Sequence, residues 1–233
     1  LMSVFHNNIL AGAAGQTGGA APAGYQVDRS LRFESGDSAK LTRTASTAGN
    51  RKTWTWSAWI KRGKVTSNQE YLFSAQGSGQ FFILGFLNND EFFITPNAGV
   101  GGSTFKSSAK FRDYSAWYHF VVATDTTQST ASDRVKVYVN GEQITDWATS
   151  TYPSQNYDWH VNNNVAHSIG VSTQNTGYSS VYMAEIHHID GQQLAASDFG
   201  EYDDNNVWQP TAYTGTYGTN GFHLDFSDNS SNA

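Results

Sequence analysis

Residues 53–61 read Thr-Trp-Thr-Trp-Ser-Ala-Trp-Ile-Lys, and this run constrains the fold more than any other part of the chain. Read with period two, Trp54, Trp56, Ala58 and Ile60 fall on one face, and Thr53, Thr55, Ser57 and Lys61 on the other. Successive side chains of a strand point to opposite faces, so the pattern predicts a half-buried β-strand. The same alternation returns at residues 134–140. Val135, Val137 and Val139 point inward there, and Arg134, Lys136, Tyr138 and Asn140 outward. Asn140-Gly141 then marks a hairpin, because both residues tolerate the positive φ of a type I′ turn. Residues 117–124 are apolar on both faces and read as a central strand.

Further along the chain the pattern holds. Residues 79–87 and 91–95 form a second hairpin around Asn88-Asn89-Asp90, and residues 181–189 form a long strand closed by Asp190-Gly191. The helical signal is one short turn at residues 195–199, with Ser197 and Asp198 as caps. Many short strands separated by Gly, Asn and Ser turns predict an all-β fold of two packed antiparallel sheets. The polar stretch 150–164 is long enough to be a functional loop rather than a plain connection.

Composition sets the class. Aromatic residues make up 14% and charged residues only 15%, the reverse of a disordered chain. A net charge of -6 with scattered Lys and Arg argues against a nucleic-acid partner. With no cysteine, disulfides, zinc–thiolate sites, iron–sulfur clusters and thiol catalysis are excluded. No apolar run approaches the ~20 residues of a membrane helix, so no membrane insertion is expected. Residues 10–24 are mostly Ala and Gly, which on composition read as a flexible leader; the functional reading is an arm that orders only against a partner subunit or larger particle, with Val4, Phe5, Ile9 and Leu10 as its anchor. This divides the chain into an arm, residues 1–24, and one sandwich domain, residues 25–233. Leu1 before Met2 reads as a trimmed start, and the opening residues lack the basic start and Leu-rich run of a secretory signal.

A resemblance now enters. Ser30-Leu31-Arg32-Phe33 with Gly36-Asp37-Ser38-Ala39, the 54–61 strand, Trp117-Tyr118-His119-Phe120-Val121-Val122, Val135–Gly141, His167-Ser168-Ile169-Gly170 and Tyr182-Met183-Ala184-Glu185-Ile186 occur in the order found in laminin G-like and pentraxin-like domains. The chain resembles that family, which implies a concanavalin A-like jelly roll. Gly49-Asn50-Arg51-Lys52 before the first tryptophans, Ile189-Asp190-Gly191-Gln192 with Ser197-Asp198-Phe199-Gly200, and the Val207-Trp208-Gln209-Pro210 tail resemble a narrower subgroup found in tailed-phage structural proteins. That resemblance implies a virion-surface location, other virion proteins as partners and a homo-oligomer. It also implies that the chain is one domain of a longer polypeptide.

Some glucanases on this fold take two carboxylates from one strand, and retaining hydrolysis needs them about 5–5.5 Å apart. The nearest segment, Glu185-Ile186-His187-His188-Ile189-Asp190, puts Glu185, His187 and Ile189 on one face and Ile186, His188 and Asp190 on the other. The pair fails on geometry, and the reading is non-catalytic. His187 and His188 point apart and cannot chelate one ion together. The resemblance allows calcium at loop rims, with Asn88-Asn89-Asp90 and Asp203-Asp204-Asn205-Asn206 offering oxygens. The candidate glycan or interface loop holds Tyr152, Asn156, Tyr157, Asp158 and Trp159: its rings either stack on sugars while Asn and Asp fix hydroxyls, or cover the sandwich edge or meet a neighbouring subunit. Tyr213, Tyr217 and Phe222 offer similar surfaces. The expectation is a tail-fibre-like or tail-associated module contacting host-surface glycans. The alternatives are a capsid decoration protein, a secreted lectin and a glycan hydrolase.

Overall fold

The computed structural model describes residues 24–64, 68–77, 79–96 and 104–227. The anchor residues Val4, Phe5, Ile9 and Leu10 of the arm lie outside them. The first strands are β1 (Leu31–Phe33), β2 (Leu41–Thr44), β3 (Thr53–Arg62), β4 (Glu70–Gly77), β5 (Gln80–Phe86) and β6 (Glu91–Pro96). Next come β7 (Phe105–Lys110), β8 (Tyr118–Asp125), β9 (Val135–Val139), β10 (Glu142–Gln143) and β11 (Trp147–Ser150). The last are β12 (Ala166–Ile169), β13 (Val181–Asp190), β14 (Gly200–Tyr202), β15 (Trp208–Pro210) and β16 (Phe222–Leu224). Among the described residues the only helical elements are short 3₁₀ turns, and no helix is long and apolar enough to cross a membrane.

Two seven-stranded antiparallel sheets face each other. The first runs β1-β13-β3-β8-β9-β10, with β16 also on β13, and the second runs β11-β7-β6-β5-β4-β12-β2. Between them lies one core that takes Trp54, Trp56, Ala58 and Ile60 from β3, Phe120 and Val122 from β8, and Phe73, Phe82, Phe92 and Phe105 from the second sheet. The core face expected for residues 53–61 is thus realised, but the strand is not half-buried: Thr55, Ser57 and Trp59 on the other face are buried too. Asn140 and Gly141 close the β9–β10 hairpin with φ of 49° and 87°, as the type I′ reading requires. The turn expected at residues 195–199 is a 3₁₀ turn, Ala196–Asp198, with the Asp198 carboxylate accepting from the Ala195 N–H at 2.8 Å.

One break in period two organises the first sheet. Ala184 pairs with Trp59 and His187 with Ser57, so β13 carries one residue more than β3 between these pairs. This is a β-bulge, and at it Glu185 adopts φ 47°. Before the bulge Met183 faces the core; after it Ile186 does, while Ala184 and Ile189 pack on the outer face.

That outer face is covered by a third layer. The hairpin of β14 and β15 and the chain from residue 192 to 217 lay Leu194, Phe199, Trp208, Tyr213 and Tyr217 over Val121, Ile189, Trp59 and Ala184. The two main sheets are also tied by polar clasps. Arg62, 1% exposed, gives Nη2 to Glu70 Oε2 at 2.9 Å and Nη1 to Asp90 Oδ1 at 2.7 Å and the Phe111 carbonyl at 2.9 Å. Its guanidinium lies over the rings of Phe86 and Tyr114. Glu70 Oε1 accepts in turn from the Ser180 N–H at 2.8 Å. At the opposite end of β3, Asp190 accepts from the N–H groups of Asn50 (2.7 Å) and Asn220 (3.0 Å) and from Asn162 Nδ2 (3.0 Å). Gly49 is required beside it, because a Cβ there would sit 1.9 Å from Asp190 Oδ2.

Breaking a buried ion pair strands the remaining charge, which costs about 3–5 kcal/mol, whereas replacing both partners by apolar groups is often neutral. Arg62→Leu should therefore lower the urea-unfolding free energy by about that amount, and Arg62→Leu with Glu70→Leu should recover most of it. A single-variant cost under about 1 kcal/mol would mean the clasp is not holding the sheets.

Candidate functional site

The third layer carries the candidate site, and the bulge places its inner wall. With Glu185 turned outward beside His187, the Glu185 carboxylate meets side chains from two other segments. Its Oε2 accepts from Tyr25 Oη at 2.8 Å and from His223 Nε2 at 2.8 Å, and His187 Nε2 lies 3.6 Å away. His223 stands directly opposite His187 in the β13–β16 pairing, and the two imidazoles stack at 4.1 Å. His187 Nδ1 is 3.0 Å from Tyr217 Oη. Burial alone would raise the Glu185 carboxyl, but hydrogen bonds from His187, His223 and Tyr25 outweigh it and hold it at about 2. Burial, with Glu185 next to it, pushes the Tyr25 phenol up. Burial lowers His187, and it raises Tyr217 to about 12.

Above this cluster lies a groove of about 380 Å³. Gln192, Leu194, Ser197 and Asp198 form one wall, and residues 211–215, with Tyr213, form the other. Tyr213 belongs to both features: its ring packs edge-on against His187 at 6.1 Å and Tyr217 at 5.2 Å, and stacks on Phe199 at 5.1 Å. Its hydroxyl gives a hydrogen bond to the Thr216 carbonyl at 3.0 Å, and Gln192 Nε2 gives one to the same carbonyl at 2.8 Å. The groove is thus anchored on an ordered aromatic pile and lined by hydroxyl, amide and carboxylate groups. Such a lining recognises neutral polar ligands through hydrogen bonds, with a ring edge for apolar contact.

The loop expected to carry ligand contacts is built differently. Trp159 is 0% exposed and lies in the core, edge-on to Trp54 and Phe82. It therefore has no face to offer a sugar, and the expectation for it is corrected: an indole next to a sandwich end gains more from burial than from solvent. Tyr157 is half-buried against Trp159, and Tyr152 against Phe105. Asn156, with φ 61°, and Asp158 are exposed. The loop thus presents polar tips without a free aromatic platform. Tyr217 and Phe222 also pack inward, against His187 and His188.

Glu185 and Asp190 have no partner in common, as the opposite-face reading requires; Asp190 is enclosed by the amides described above. His187 and His188 do point apart. His187 packs on Phe199, and His188 lies in the core near Phe73 with Nε2 2.7 Å from Asn162 Oδ1. Two of the carboxylates considered for calcium are engaged within the fold: Asp90 binds Arg62 and Arg112, and Asp203 caps its own turn through the Asn205 and Val207 N–H groups.

Ser57 Oγ lies 2.8 Å from His119 Nε2. Trp208 Nε1 donates to His119 Nδ1 at 3.0 Å, so the ring proton resides on Nε2 and faces Ser57. That tautomer cannot accept the serine proton, and the pair is a packing contact rather than a nucleophile with its base. Burial lowers His119 to about 3. Burial lowers His167 and His160 as well. A depressed histidine contributes stability that is full above the unfolded value near 6.5 and is lost as pH falls toward the folded one. The His119 contribution alone should fall by about 2 kcal/mol between pH 7.5 and pH 5. Urea unfolding at the two pH values checks this, and His119→Gln should reduce the difference by that amount. An equal pH dependence in parent and variant would contradict it.

Comparisons complete the description. A family model described as the concanavalin A-like lectin/glucanases superfamily matches residues 33–192. Among solved structures, mouse laminin alpha1 chain domains LG4-5 are similar at 12% identity, covering 88% of this chain and 49% of that one, with a TM-score of 0.51. This chain thus spans about half of that pair. A heptameric SAP-like pentraxin from Limulus polyphemus is similar at 14% identity over 74% of this chain and 75% of that one, with a TM-score of 0.44. Domain 4 of an extracellular arabinanase from Geobacillus stearothermophilus, solved with arabinotriose, is similar at 16% identity over 64% and 65%, with a TM-score of 0.44. At these identities the likeness is one of fold. A search of curated proteins finds no match.

Proposed function

The chain belongs to the concanavalin A-like lectin/glucanases superfamily, and on that premise we propose that it is a non-catalytic glycan-binding module of a phage particle. The observation that carries the binding half is the groove between Gln192–Asp198 and Thr211–Gly215. Its volume of about 380 Å³ falls in the ~300–1,000 Å³ range of small-ligand sites. Ser197, Thr211, Thr214 and Gln192 supply donors and acceptors for sugar hydroxyls, Asp198 a charged acceptor, and Tyr213 an aromatic edge. The laminin G-like resemblance and the tailed-phage subgroup support the virion half. Many copies on one particle multiply weak sugar contacts into avidity. In this reading residues 1–24 dock the domain onto other virion proteins, and the site faces the host surface as part of a tail-fibre-like or tail-associated assembly.

A second reading, a capsid decoration protein, is favoured by Tyr202 and Val207, 41% and 48% exposed on the outer hairpin. Exposed apolar side chains of this kind suit a contact with a neighbouring subunit.

A glycan array probed with the full chain tests the binding half. Saturable binding of an oligosaccharide, weakened at least about tenfold by Tyr213→Ala or Asp198→Ala, is the expected result. Loss of binding on changing Asn156 and Asp158, with the groove variants unaffected, would move the site to the other loop. Deleting residues 1–24 should leave the unfolding midpoint unchanged while abolishing incorporation into particles. Normal incorporation of the shortened chain would remove the docking role.

A further inference from the structure

Glu185, His187 and His223 each turn a metal-binding atom into one space, with the three atoms within 4.8 Å of one another. Two imidazole nitrogens and a carboxylate are the donor set that suits zinc and neighbouring first-row divalent ions. We propose that this cluster is a divalent transition-metal site, with zinc the ion it fits best and Tyr25 Oη or a water completing the coordination.

Three independent features support the assignment. The first is the backbone. Glu185 holds φ 47° in the middle of a ten-residue strand, where an extended conformation is otherwise continuous. A non-glycine residue kept in the left-handed region is strained, and such strain concentrates at ligand sites. Here the bulge turns Glu185 and His187 together to the outer face, where strict alternation from Met183 would have sent both to the core.

The second feature is the support behind the ligands. His187 Nδ1 is engaged by Tyr217 Oη, which fixes the ring and leaves Nε2 to face Glu185. A partner on the far ring nitrogen is the usual way a histidine ligand is oriented. His187 is also held by the rings of Phe199, Tyr213 and Tyr217.

The third is access. The Glu185 and His187 side chains are 6% and 4% exposed, but that of His223 is 27% exposed, so the cluster opens to solvent on the β16 side. Glu185 Oε2 accepts hydrogen bonds from Tyr25 Oη and His223 Nε2 in the place an ion would occupy. The two imidazoles stack with planes only 10° apart. A single ion cannot lie in both planes at once, so binding must rotate the more exposed His223 ring out of the stack. It must also release the proton on His223 Nε2.

The test is titration of the chelator-stripped full chain with zinc chloride, followed by calorimetry and by the shift in unfolding temperature. The expected result is saturable binding of one zinc per chain at the cluster. Glu185→Gln and His223→Gln should each weaken it by at least about a hundredfold, and Tyr217→Phe, which removes only the supporting hydroxyl, by about 10–100-fold. Circular dichroism of each variant without zinc establishes that it folds. If Glu185→Gln does not fold, the His223 and Tyr217 variants still decide. The proposal is overturned if the parent shows no saturable binding, or if folded His223→Gln and Tyr217→Phe bind zinc as tightly as the parent. The cluster would then be a hydrogen-bonded brace for β16 and Tyr25.

Discussion

Strand β13 runs through the first sheet between β3 on one side and β1 and β16 on the other, so any change in its phase is felt across the sheet. The extra residue at Glu185 makes such a change. Met183 and Ile186 both reach the core although they lie three positions apart, and Ala184 and Ile189 are left on the outer face. Without the bulge, strict alternation would put Ile186 outward and His187 inward, an apolar side chain into the third layer and an imidazole into the core. The backbone strain at Glu185 is therefore repaid by core packing on one face and by the Tyr25, His187 and His223 contacts on the other.

The third layer depends on the same choice. Phe199, Tyr213 and Tyr217 have His187 and Ile189 to pack on only because the strand presents both outward. Through Tyr213 the groove is coupled to the buried cluster beneath it, so its walls rest on an ordered floor. The polar clasps act at the ends. Arg62 with Glu70 and Asp90 joins the sheets at one end of β3, and Asp190 gathers the Asn50 and Asn220 backbone N–H groups and the Asn162 side-chain amide at the other. Both bury charge or carboxylate oxygens with their hydrogen-bonding capacity met, which is the condition under which such groups are tolerated inside a protein.

Much of the sandwich was legible in the sequence, because its longest strands have one face in the core and one outside it. β3 and β9 follow period two closely, β8 reads as a run apolar on both faces, the β5–β6 hairpin is marked by Asn88-Asn89-Asp90, and Asn140-Gly141 states its turn type outright. The short strands β11, β12 and β16 carry too few residues for alternation to register, and their pairing is set by topology. In the loop at residues 150–164 nothing in a non-periodic segment tells which rings turn inward, so sugar stacking and covering the sandwich edge are equally compatible with the residues; the structure puts Trp159 in the core. The Glu185–His187–His223 cluster escaped for a different reason. Glu185 and His187 were correctly placed on one face, but His223 is 36 residues beyond His187 and reaches it only through the β13–β16 register. Likewise Gln192, Ser197, Asp198, Thr211 and Thr214 form no motif along the chain and become a site only when two loops fold over one sheet.

The account places binding on the covered outer face of the first sheet, in the groove of residues 192–198 and 211–215, and not in the loop at residues 152–158. Two-dimensional amide NMR of the isotopically labelled full chain, titrated with a bound oligosaccharide, tests that placement directly. The account predicts that the amides of Ser197, Asp198, Tyr213 and Thr214 shift in a saturable way, while the Asn156 and Asp158 amides and the core indoles of Trp54, Trp56 and Trp159 stay in place. Shifts confined to residues 152–158, with the groove amides unmoved, would contradict it.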